Sequence, residues 1–274
     1  MDEFEKITVE NQYGRMTIAL QGAQVLSWEP NGEKPVIWLS RDAKYVKGKS
    51  ARGGIPVCWP WFGPHPAEAA YPAHGFARNL EWTLKETKEI EDATLLVLGL
   101  LPHEKSWPHL SELEYRIRVG KSLELELVTF NSGDRPFVLG CALHTYFKVS
   151  DVRKVKIIGL EGTRYLDKVA GGEKNQKGPV TINSEIDRIY LDTASTCLIE
   201  DPGMDRSIRI EKAGSRSTVV WNPWIEKSEK LGDMGNDGYL EMLCVETCNA
   251  AEDVVVVSPS EEHRLMARYS VDRI

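Results

Sequence analysis

Two ionisable residues of this chain stand in apolar surroundings, where titratable side chains are unusual. His144 lies in the stretch Cys141–Phe147 and Glu246 in the stretch Met242–Cys248, and both stretches have the composition of apolar strands. A buried ionisable group must be paired, hydrogen-bonded or shifted in pKa. An imidazole and a carboxylate on a β scaffold are the parts of a general acid/base pair. The residues alone leave open that each is a satisfied core or edge side chain.

Two arginines bracket the stretch Ala51–Leu84, and their side chains suit anion binding. Arg52 precedes two glycines, and Arg78 follows the segment His74–Ala77. A guanidinium fork binds phosphate or carboxylate through two hydrogen bonds, and glycines let a ligand approach the backbone. The alternative is that both are surface arginines, ion-paired to acidic side chains of the same stretch, namely Glu68 or Glu81.

The stretch Ala51–Leu84 is rich in glycine, proline and tryptophan, which interrupt helix and strand patterns. Its aromatic content argues against disorder, so we expect an ordered binding loop with polar groups on an aromatic floor. Trp59, Trp61 and Phe62 could stack on the apolar face of a ring-shaped ligand. They could equally fill the core, which is the usual place for aromatic side chains.

No metal-binding motif emerges from the spacing of potential ligands. The sequence contains no H-E-x-x-H, and on an extended strand Cys244 and Cys248 share a face but lie too far apart for a shared ion or a disulfide. We therefore expect no bound metal. The alternative is that scattered histidines join His144 and Glu246 as ligands of one ion. These histidines are His65, His74, His103 and His109.

Two aspartates flank an apolar pair further along the chain. Asp187 and Asp192 could each hydrogen-bond sugar hydroxyls or shape a turn, and the turn is favoured for Asp192.

Short strands must position these side chains. Period-two alternation on both sides of Gly120-Lys121 predicts a hairpin, and further strands include Phe137–Tyr146, Val36–Leu39 and a hairpin around Asn11–Gly14. One helix is predicted over Pro223–Leu231, with Asn222 as its N-cap and Gly232 just past its end. Frequent turns and scarce helix predict an all-β sandwich or barrel. No linker divides the chain, so residues 1–274 are expected to form one domain.

The bulk composition is that of an ordinary soluble protein. Of 274 residues, 42% are hydrophobic and 27% charged, and the net charge of −7 argues against nucleic-acid binding as the main task. Five scattered cysteines suggest a reducing compartment. The acidic N-terminus lacks a secretory apolar segment, and no run is apolar enough to span a membrane. We expect a cytoplasmic protein that binds no membrane.

Six motifs occur in an order that resembles the hexose-6-phosphate mutarotases (glucose-6-phosphate 1-epimerases), a branch of the aldose 1-epimerase superfamily. The likeness runs over nearly the whole chain, and six ordered matches are much more specific than one. The motifs are Arg52-Gly-Gly-Ile-Pro56, Cys58-Trp-Pro-Trp-Phe-Gly63, His74-Gly-Phe-Ala-Arg78, Leu143-His-Thr-Tyr-Phe147, Asp187-Arg-Ile-Tyr190 and Val245-Glu-Thr-Cys-Asn249.

The resemblance implies a galactose-mutarotase-like β-supersandwich of mostly antiparallel strands with few short helices. It implies an isomerase that interconverts the α and β anomers of hexose 6-phosphates, foremost glucose 6-phosphate, as a monomer without metal or organic cofactor. The catalytic pair would be His144 and Glu246, with the pKa of His144 held near neutral by a nearby carboxylate. The substrate-binding residues would be Arg52, Arg78, Asp187 and His74, with the arginines toward the phosphate.

One position departs from the family pattern, and three other functions stay open. Ala73 stands where the family often has glutamine, which puts one substrate hydrogen bond in question. The first alternative is a mutarotase for unphosphorylated aldoses, and the second is a non-catalytic sugar-phosphate-binding sandwich. The third, a two-carboxylate glycosidase, would need Asp187 as partner of Glu246.

Overall fold

The computed structural model describes residues 4–274, so the first three residues of the acidic N-terminus lie outside the described part. The chain opens with a meander of three strands, β1 Lys6–Asn11, β2 Gly14–Ala19 and β3 Gln24–Pro30. The tight turn between β1 and β2 confirms the predicted first hairpin. Asn11 stabilises this turn, because its side-chain oxygen accepts a hydrogen bond of 2.9 Å from the backbone N–H of Tyr13.

The described residues contain eighteen further strands and little helix. The first six are β4 Val57–Cys58, β5 Thr83–Ile90, β6 Ala93–Leu100, β7 Ser111–Gly120, β8 Leu123–Asn131 and β9 Phe137–Leu139. The next six are β10 Cys141–Leu143, β11 Tyr146–Lys148, β12 Lys156–Ile158, β13 Arg164–Asp167, β14 Glu173–Asn175 and β15 Ile186–Tyr190. The last six are β16 Cys197–Asp201, β17 Arg206–Ala213, β18 Ser217–Asn222, β19 Met242–Asn249, β20 Val255–Val257 and β21 Glu262–Arg273.

Two eight-stranded antiparallel sheets form the body of the molecule. The first has the order β14-β13-β15-β18-β19-β10-β4, with β11 also pairing with β19, and the second has the order β12-β16-β17-β21-β8-β7-β6-β5. Their inner faces share one apolar core. The rings of Phe147 and Tyr269 meet across it at 5.0 Å, and the Tyr269 hydroxyl lies 2.6 Å from Oγ1 of Thr145. The predicted all-β sandwich of antiparallel strands is confirmed.

The hairpin of β7 and β8 shows why the alternation in the sequence was informative. Leu113, Tyr115 and Ile117 are buried on the core side, while the residues between them face outward. Side chains of a strand alternate between the two faces of the sheet, so one wet face and one dry face leave a period of two in the sequence.

One α-helix, α1, spans Trp224–Leu231, one residue later than predicted. Pro223 takes the cap position, and Oδ1 of Asn222 accepts a hydrogen bond of 2.9 Å from the backbone N–H of Trp224. Gly232 ends the helix with a left-handed φ of 67°, as its position after the last helical residue predicted. Three single-turn 3-10 helices complete the set, at Ala77–Asn79, Gly238–Leu240 and Ala251–Asp253.

Two strand predictions were wrong in detail. The stretch Phe137–Tyr146 is divided among β9, β10 and β11, and His144 lies in the break between the last two. Val36–Leu39 forms only isolated bridges, such as that between Ile37 and Phe147. Apolar composition alone does not show at which residue a strand stops pairing with its neighbour and the chain turns to pair with another strand. Within residues 4–274, no helix combines the length and apolarity needed to cross a membrane.

Candidate active site

The alternation of β19 projects Glu246 away from the sandwich core. Leu243 and Val245 point into the core between the sheets, whereas Cys244, Glu246 and Cys248 share the opposite face. Only 1% of the Glu246 side chain is exposed. This strand is buried on both faces, because other parts of the chain cover its outer side. A carboxyl group therefore stands in a place from which water is largely excluded.

The break between β10 and β11 places His144 beside Glu246. Leu143 pairs with Thr247 and Tyr146 with Cys244, so the register is the same on both sides of the break and sets His144 opposite Glu246. The backbone N–H of His144 donates to the carbonyl of Pro56 at 3.0 Å instead. Nε2 of His144 lies 3.4 Å from Oε1 of Glu246. Two residues far apart in the chain thus face each other.

Two cross-strand rows on this outer face lie beneath a cavity of about 510 Å³, and every residue of the two rows except Cys244 lines it. Leu166, Ile189, Val219 and Glu246 are successive neighbours across β13, β15, β18 and β19. The adjacent row consists of Asp187, Trp221, Cys244 and Tyr146. All six residues predicted for the site line this one cavity, namely Arg52, His74, Arg78, His144, Asp187 and Glu246.

Arg52 is held by residues outside its own loop. Its Nε donates to Oδ1 of Asp233 at 2.9 Å, and its Nη1 donates to the hydroxyl of Tyr146 at 3.2 Å. The alternative ion pairs with Glu68 or Glu81 are absent for this arginine. The side chain is three-quarters buried, with 25% exposed, so both contacts act where water screens them weakly.

Arg78 presents a cation to the cavity without a carboxylate partner in the described chain. Its Nη2 donates to the backbone carbonyl of Ala73 at 2.8 Å, while its buried Nε has no partner. The backbone carbonyl of Ala73 therefore positions this arginine, and this contact does not need the glutamine side chain that the family often has at position 73. Lys168 and Lys227 also line the cavity, and Lys227 is paired with Glu185 at 2.7 Å.

His74 offers a hydrogen-bond donor to the cavity. Its Nδ1 accepts from the backbone N–H of Gly63 at 3.3 Å, so in the neutral ring the other nitrogen, Nε2, carries the proton. Burial, aided by the charge of Arg78, lowers the pKa of His74 to about 4. The ring is therefore neutral at physiological pH, and it lies 5.7 Å from the ring of His144.

Burial shifts the pKa values of the central pair in opposite directions. It lowers the pKa of His144 well below the ordinary 6.5, and neighbouring positive charges act in the same direction. It raises the pKa of Glu246 well above the ordinary 4.5, and the charge of Asp187 adds to this. Both shifts favour the neutral form of each group, so burial favours the arrangement in which a proton shared by the pair is on Glu246. The near-neutral pKa expected for His144 was wrong, because desolvation outweighs the nearby carboxylate.

The loop Ala51–Leu84 contributes less to ligand contact than its composition suggested. Trp59 and Trp61 are buried in the core, and only Phe62 of the three aromatic residues reaches the cavity. Gly54 has a left-handed φ of 67°, and a Cβ there would lie 2.3 Å from the carbonyl oxygen of Val25. This glycine permits close packing of two backbones. The interpretation that it admits a ligand was wrong.

Several residues of the cavity and its immediate surroundings were not found from the sequence. Tyr146 stacks on His144 at 4.9 Å and touches Arg52, although it lies only two positions from His144 in the chain. Asp233, Lys168 and Lys227 are charged residues in polar segments, where nothing local distinguishes them from solvated surface groups. Asp187 lies on β15, whereas Asp192 lies outside the cavity and pairs with Arg216.

Of the four scattered histidines considered as metal ligands, His74 lines this cavity, whereas His65, His103 and His109 lie outside it. His65 packs against Trp61, and His109 packs against Trp107. Within the described residues, the group of potential ligands that converges is His144, Cys244 and Glu246, whose ligand atoms all lie within 4.8 Å of one another.

Comparison with known proteins places these features in a wider group. The family model described as aldose 1-epimerase matches residues 5–270. A protein of Escherichia coli (strain K12), provisionally named glucose-6-phosphate 1-epimerase, is 41% identical over 268 residues, which cover 96% of this chain and 89% of that protein. A protein of Cenchrus ciliaris with the same provisional name is 36% identical over 90% of this chain and 78% of its own length.

Solved structures agree with the sequence comparisons. A provisionally assigned mutarotase (YeaD) from Salmonella typhimurium superposes with a TM-score of 0.93 at 38% identity, covering 100% of this chain and 92% of that chain. A galactose mutarotase-like protein from Lactobacillus casei superposes with a TM-score of 0.74 at 15% identity, covering 98% of this chain and 100% of that chain. The second likeness concerns the fold alone.

Proposed function

Because the chain belongs to the aldose 1-epimerase family, a family of isomerases, we propose that it interconverts the α and β anomers of hexose 6-phosphates, with glucose 6-phosphate as the first candidate. The observation that carries this proposal is the pairing of His144 with Glu246 at 3.4 Å on the floor of a cavity that also holds Arg52 and Arg78. Anomer interconversion of an anionic sugar requires a pair of groups that transfer protons and cations that bind the phosphate.

The proposed reaction needs one acid and one base. Glu246, as carboxylate, takes the proton from the anomeric hydroxyl, while His144, protonated, gives a proton to the ring oxygen. The ring opens to the aldehyde, the C1–C2 bond turns, and reclosure from the other face yields the other anomer with the two roles exchanged. Each positioned proton transfer contributes on the order of 10²–10⁴-fold to the rate.

The protonation of the pair is compatible with this scheme. The same single proton can be placed in two ways. On Glu246 it gives a neutral imidazole with a neutral carboxyl group, and on His144 it gives an imidazolium with a carboxylate. Burial favours the neutral arrangement without substrate. Oε2 of Glu246 is buried and has no partner among the described residues. A sugar hydroxyl that donates to it would stabilise the carboxylate and move the pair toward the reactive arrangement.

The charges around the pair support one orientation of the sugar. The positive charges that act on His144 belong to Arg78 and Arg52, whereas the charge that acts on Glu246 belongs to Asp187. In a hexose 6-phosphate, C6 branches from the carbon next to the ring oxygen. A ring oxygen at His144 therefore directs the phosphate toward the arginines.

The other end of the same sugar then meets acceptors. With the ring oxygen at His144, the hydroxyls of C1 and its neighbours face Glu246 and Asp187, which can accept hydrogen bonds from them. The remote phosphate contributes binding energy that fixes the reacting end.

The runner-up is a mutarotase for unphosphorylated aldoses, with Arg52 and Arg78 binding hydroxyl groups. Arg78 and Lys168 favour the phosphorylated substrate, because neither has a carboxylate partner in the described chain. The Nε atom of Arg78 is buried without a partner among the described residues, and a bound phosphate would supply both an acceptor and the missing negative charge. A non-catalytic sugar-phosphate-binding sandwich is disfavoured by membership of an isomerase family.

The test compares anomer interconversion of glucose 6-phosphate and glucose, followed by magnetisation-transfer NMR. We expect a much larger kcat/KM for the phosphorylated sugar, and equal values would overturn the phosphate assignment.

His144→Ala should lose at least about 10²-fold in kcat, and a wild-type rate would overturn its catalytic role. Arg78→Gln should raise KM for glucose 6-phosphate but not for glucose. Arg209→Ala, on a distant strand, is the control. A chelator should lower none of these rates.

A further inference from the structure

Cys244 stands directly beside the proposed acid/base pair. It precedes Glu246 by two residues on β19, so both side chains leave the same face of the strand. The thiol, the imidazole of His144 and the carboxyl group of Glu246 bring their ligand atoms within 4.8 Å of one another. Anomer interconversion as proposed uses the imidazole and the carboxyl group but gives the thiol no part.

The polar atoms of this cluster are short of partners. Oε2 of Glu246 and Nδ1 of His144 are buried and accept or donate no hydrogen bond to any described residue. Nε2 of His144 and Oε1 of Glu246 lie 3.4 Å apart, close to the separation of two ligands that each stand about 2.0–2.1 Å from a tetrahedral zinc ion. The nitrogen and oxygen ligands are thus already spaced for one ion. The sulfur must approach somewhat, since a Zn–S bond is about 2.3 Å.

The kinds of atom present select the class of cation. One imidazole nitrogen, one thiol sulfur and one carboxylate oxygen suit a borderline-soft ion such as Zn²⁺, whereas Mg²⁺ prefers oxygen ligands only. Binding would release the protons of Cys244 and Glu246 to solvent, leaving two anionic ligands that neutralise the ion. That neutrality matters because Arg52 and Arg78 line the same cavity and would oppose any excess positive charge.

We propose that His144, Cys244 and Glu246 form a binding site for Zn²⁺ or a cation of the same class, and that an ion bound there inhibits the enzyme in competition with the sugar. Three protein ligands leave a fourth position open to the cavity. The bound ion occupies both groups needed for proton transfer, so it cannot support the reaction. The site itself follows from the geometry alone, and only the inhibition rests on the proposed function.

Binding should be reversible. Nδ1 of His144 has no carboxylate or carbonyl to orient it, and such outer partners are worth about 10–100-fold in affinity at metal sites. Since the ion displaces protons, affinity should fall as the pH is lowered.

The first experiment reports binding without activity. Titration of the whole protein with Co²⁺ should produce one sulfur-to-cobalt charge-transfer absorption band that saturates at one equivalent and is removed by Zn²⁺. Cys244→Ala should abolish the band, and Cys244→Val is a second variant of larger volume in case the first folds poorly. Cys248→Ala, on the same strand, is the matched control and should keep the band. No band in the wild type, or an unchanged band in both Cys244 variants, overturns the proposal.

The second experiment measures inhibition. Zn²⁺ should raise the apparent KM for glucose 6-phosphate without changing kcat, Mg²⁺ should not, and Cys244→Ala should require at least about tenfold more Zn²⁺. Equal sensitivity of Cys244→Ala and wild type would overturn the inhibitory role. Should the protein turn out not to act on hexose 6-phosphates, the cobalt titration still decides whether the site exists.

Discussion

Glu246 carries its carboxyl group into a part of the molecule that excludes water, and this has an energetic cost. Its pKa is raised well above 4.5 by burial. The unfolded chain releases this proton near pH 4.5, whereas the folded chain keeps it to higher pH. This proton therefore contributes its full stabilisation of the folded state below pH 4.5, the pKa in the unfolded chain. As the pH rises from there to the folded-state pKa, the folded state loses about 1.4 kcal/mol for each pH unit that separates the two pKa values.

Glu246→Gln should for this reason stabilise the protein at pH 7.5 and abolish its activity. The melting temperature should rise by about 2–4 °C for each kcal/mol gained, while at pH 4 the variant and the wild type should melt alike. Thermal unfolding at the two pH values, with kcat at pH 7.5, tests this. Glu112→Gln, an exposed carboxylate on β7, should change neither quantity. A melting temperature that falls equally at both pH values would contradict the prediction.

In the proposed reaction, the opposite pKa shifts of His144 and Glu246 also set the pH range of activity. The pair works while it holds one proton, and burial moves both limits of that state outward, because a second proton binds only below the ordinary pKa of histidine. We expect kcat for glucose 6-phosphate to stay flat through pH 6.5 and on to higher pH.

This profile should be read from kcat, since the substrate's phosphate titrates near pH 6 and will affect KM. Buffers that are weak general acid and base catalysts keep the spontaneous reaction small. A fall of kcat to half its plateau value at pH 6.5 would show that His144 titrates normally in the complex.

At the scale of elements, the segment that follows α1 positions an arginine. Asp233 lies just beyond Gly232, the residue that ends α1, and its carboxylate accepts from Nε of Arg52. The hydroxyl of Tyr146 fixes a second edge of the same guanidinium. A group held on two edges presents its remaining N–H donors in a defined direction.

Asp233→Ala should therefore raise KM for glucose 6-phosphate about tenfold with a smaller effect on kcat, because a hydrogen bond to a charged group is worth about 1.5–3 kcal/mol. Asp233→Asn keeps an acceptor and should stay near wild type. Activity on glucose should not change in either. Asp237→Ala, in the same segment, is the control. Equal losses on both sugars would indicate a structural role only.

The loop that carries His74 and Arg78 depends on a close contact of two backbone segments. A Cβ at Gly75, where φ is 70°, would lie 1.9 Å from the carbonyl oxygen of Trp59. Gly171 has a similar φ of 76° with nothing within 4 Å of the same position. The two glycines differ in crowding but share the backbone conformation.

Gly75→Ala should cost roughly 3 kcal/mol or more in the free energy of unfolding, and it should also raise KM because the same loop carries His74 and Arg78, the residues proposed to bind substrate. Gly171→Ala should cost only about 1–2 kcal/mol, the strain of the left-handed conformation. Denaturant unfolding of both variants makes the comparison. Equal costs would show that the contact at Gly75 relaxes without loss.

At the scale of the whole molecule, one apolar core joins the three larger sheets. It contains Ile18 and Trp28 from the N-terminal meander, Leu125 from β8 and Val245 from β19. We propose that residues 1–274 unfold as a single domain. Calorimetry should show one transition with equal calorimetric and van't Hoff enthalpies. A sugar phosphate should move that transition upward as a whole, and two separable transitions would refute a single domain.

The sequence by itself determined the features that depend on near neighbours. The alternation of Leu113, Tyr115 and Ile117 predicted the hairpin of β7 and β8, and Gly232 marked the end of α1, because period and capping are local effects. His144 and Glu246 stood out as candidates because they are ionisable residues in apolar stretches, and the ordered motifs indicated the family.

Only the tertiary structure decided which of these residues meet and what their surroundings do to them. The shared register of β10 and β11 on β19 sets His144 opposite Glu246, and the sequence cannot show a register between strands so far apart in the chain. Asp233 and Cys244 gain their partners in the same way. The pKa shifts depend on how completely the folded chain excludes water, which is a property of packing and not of residue order.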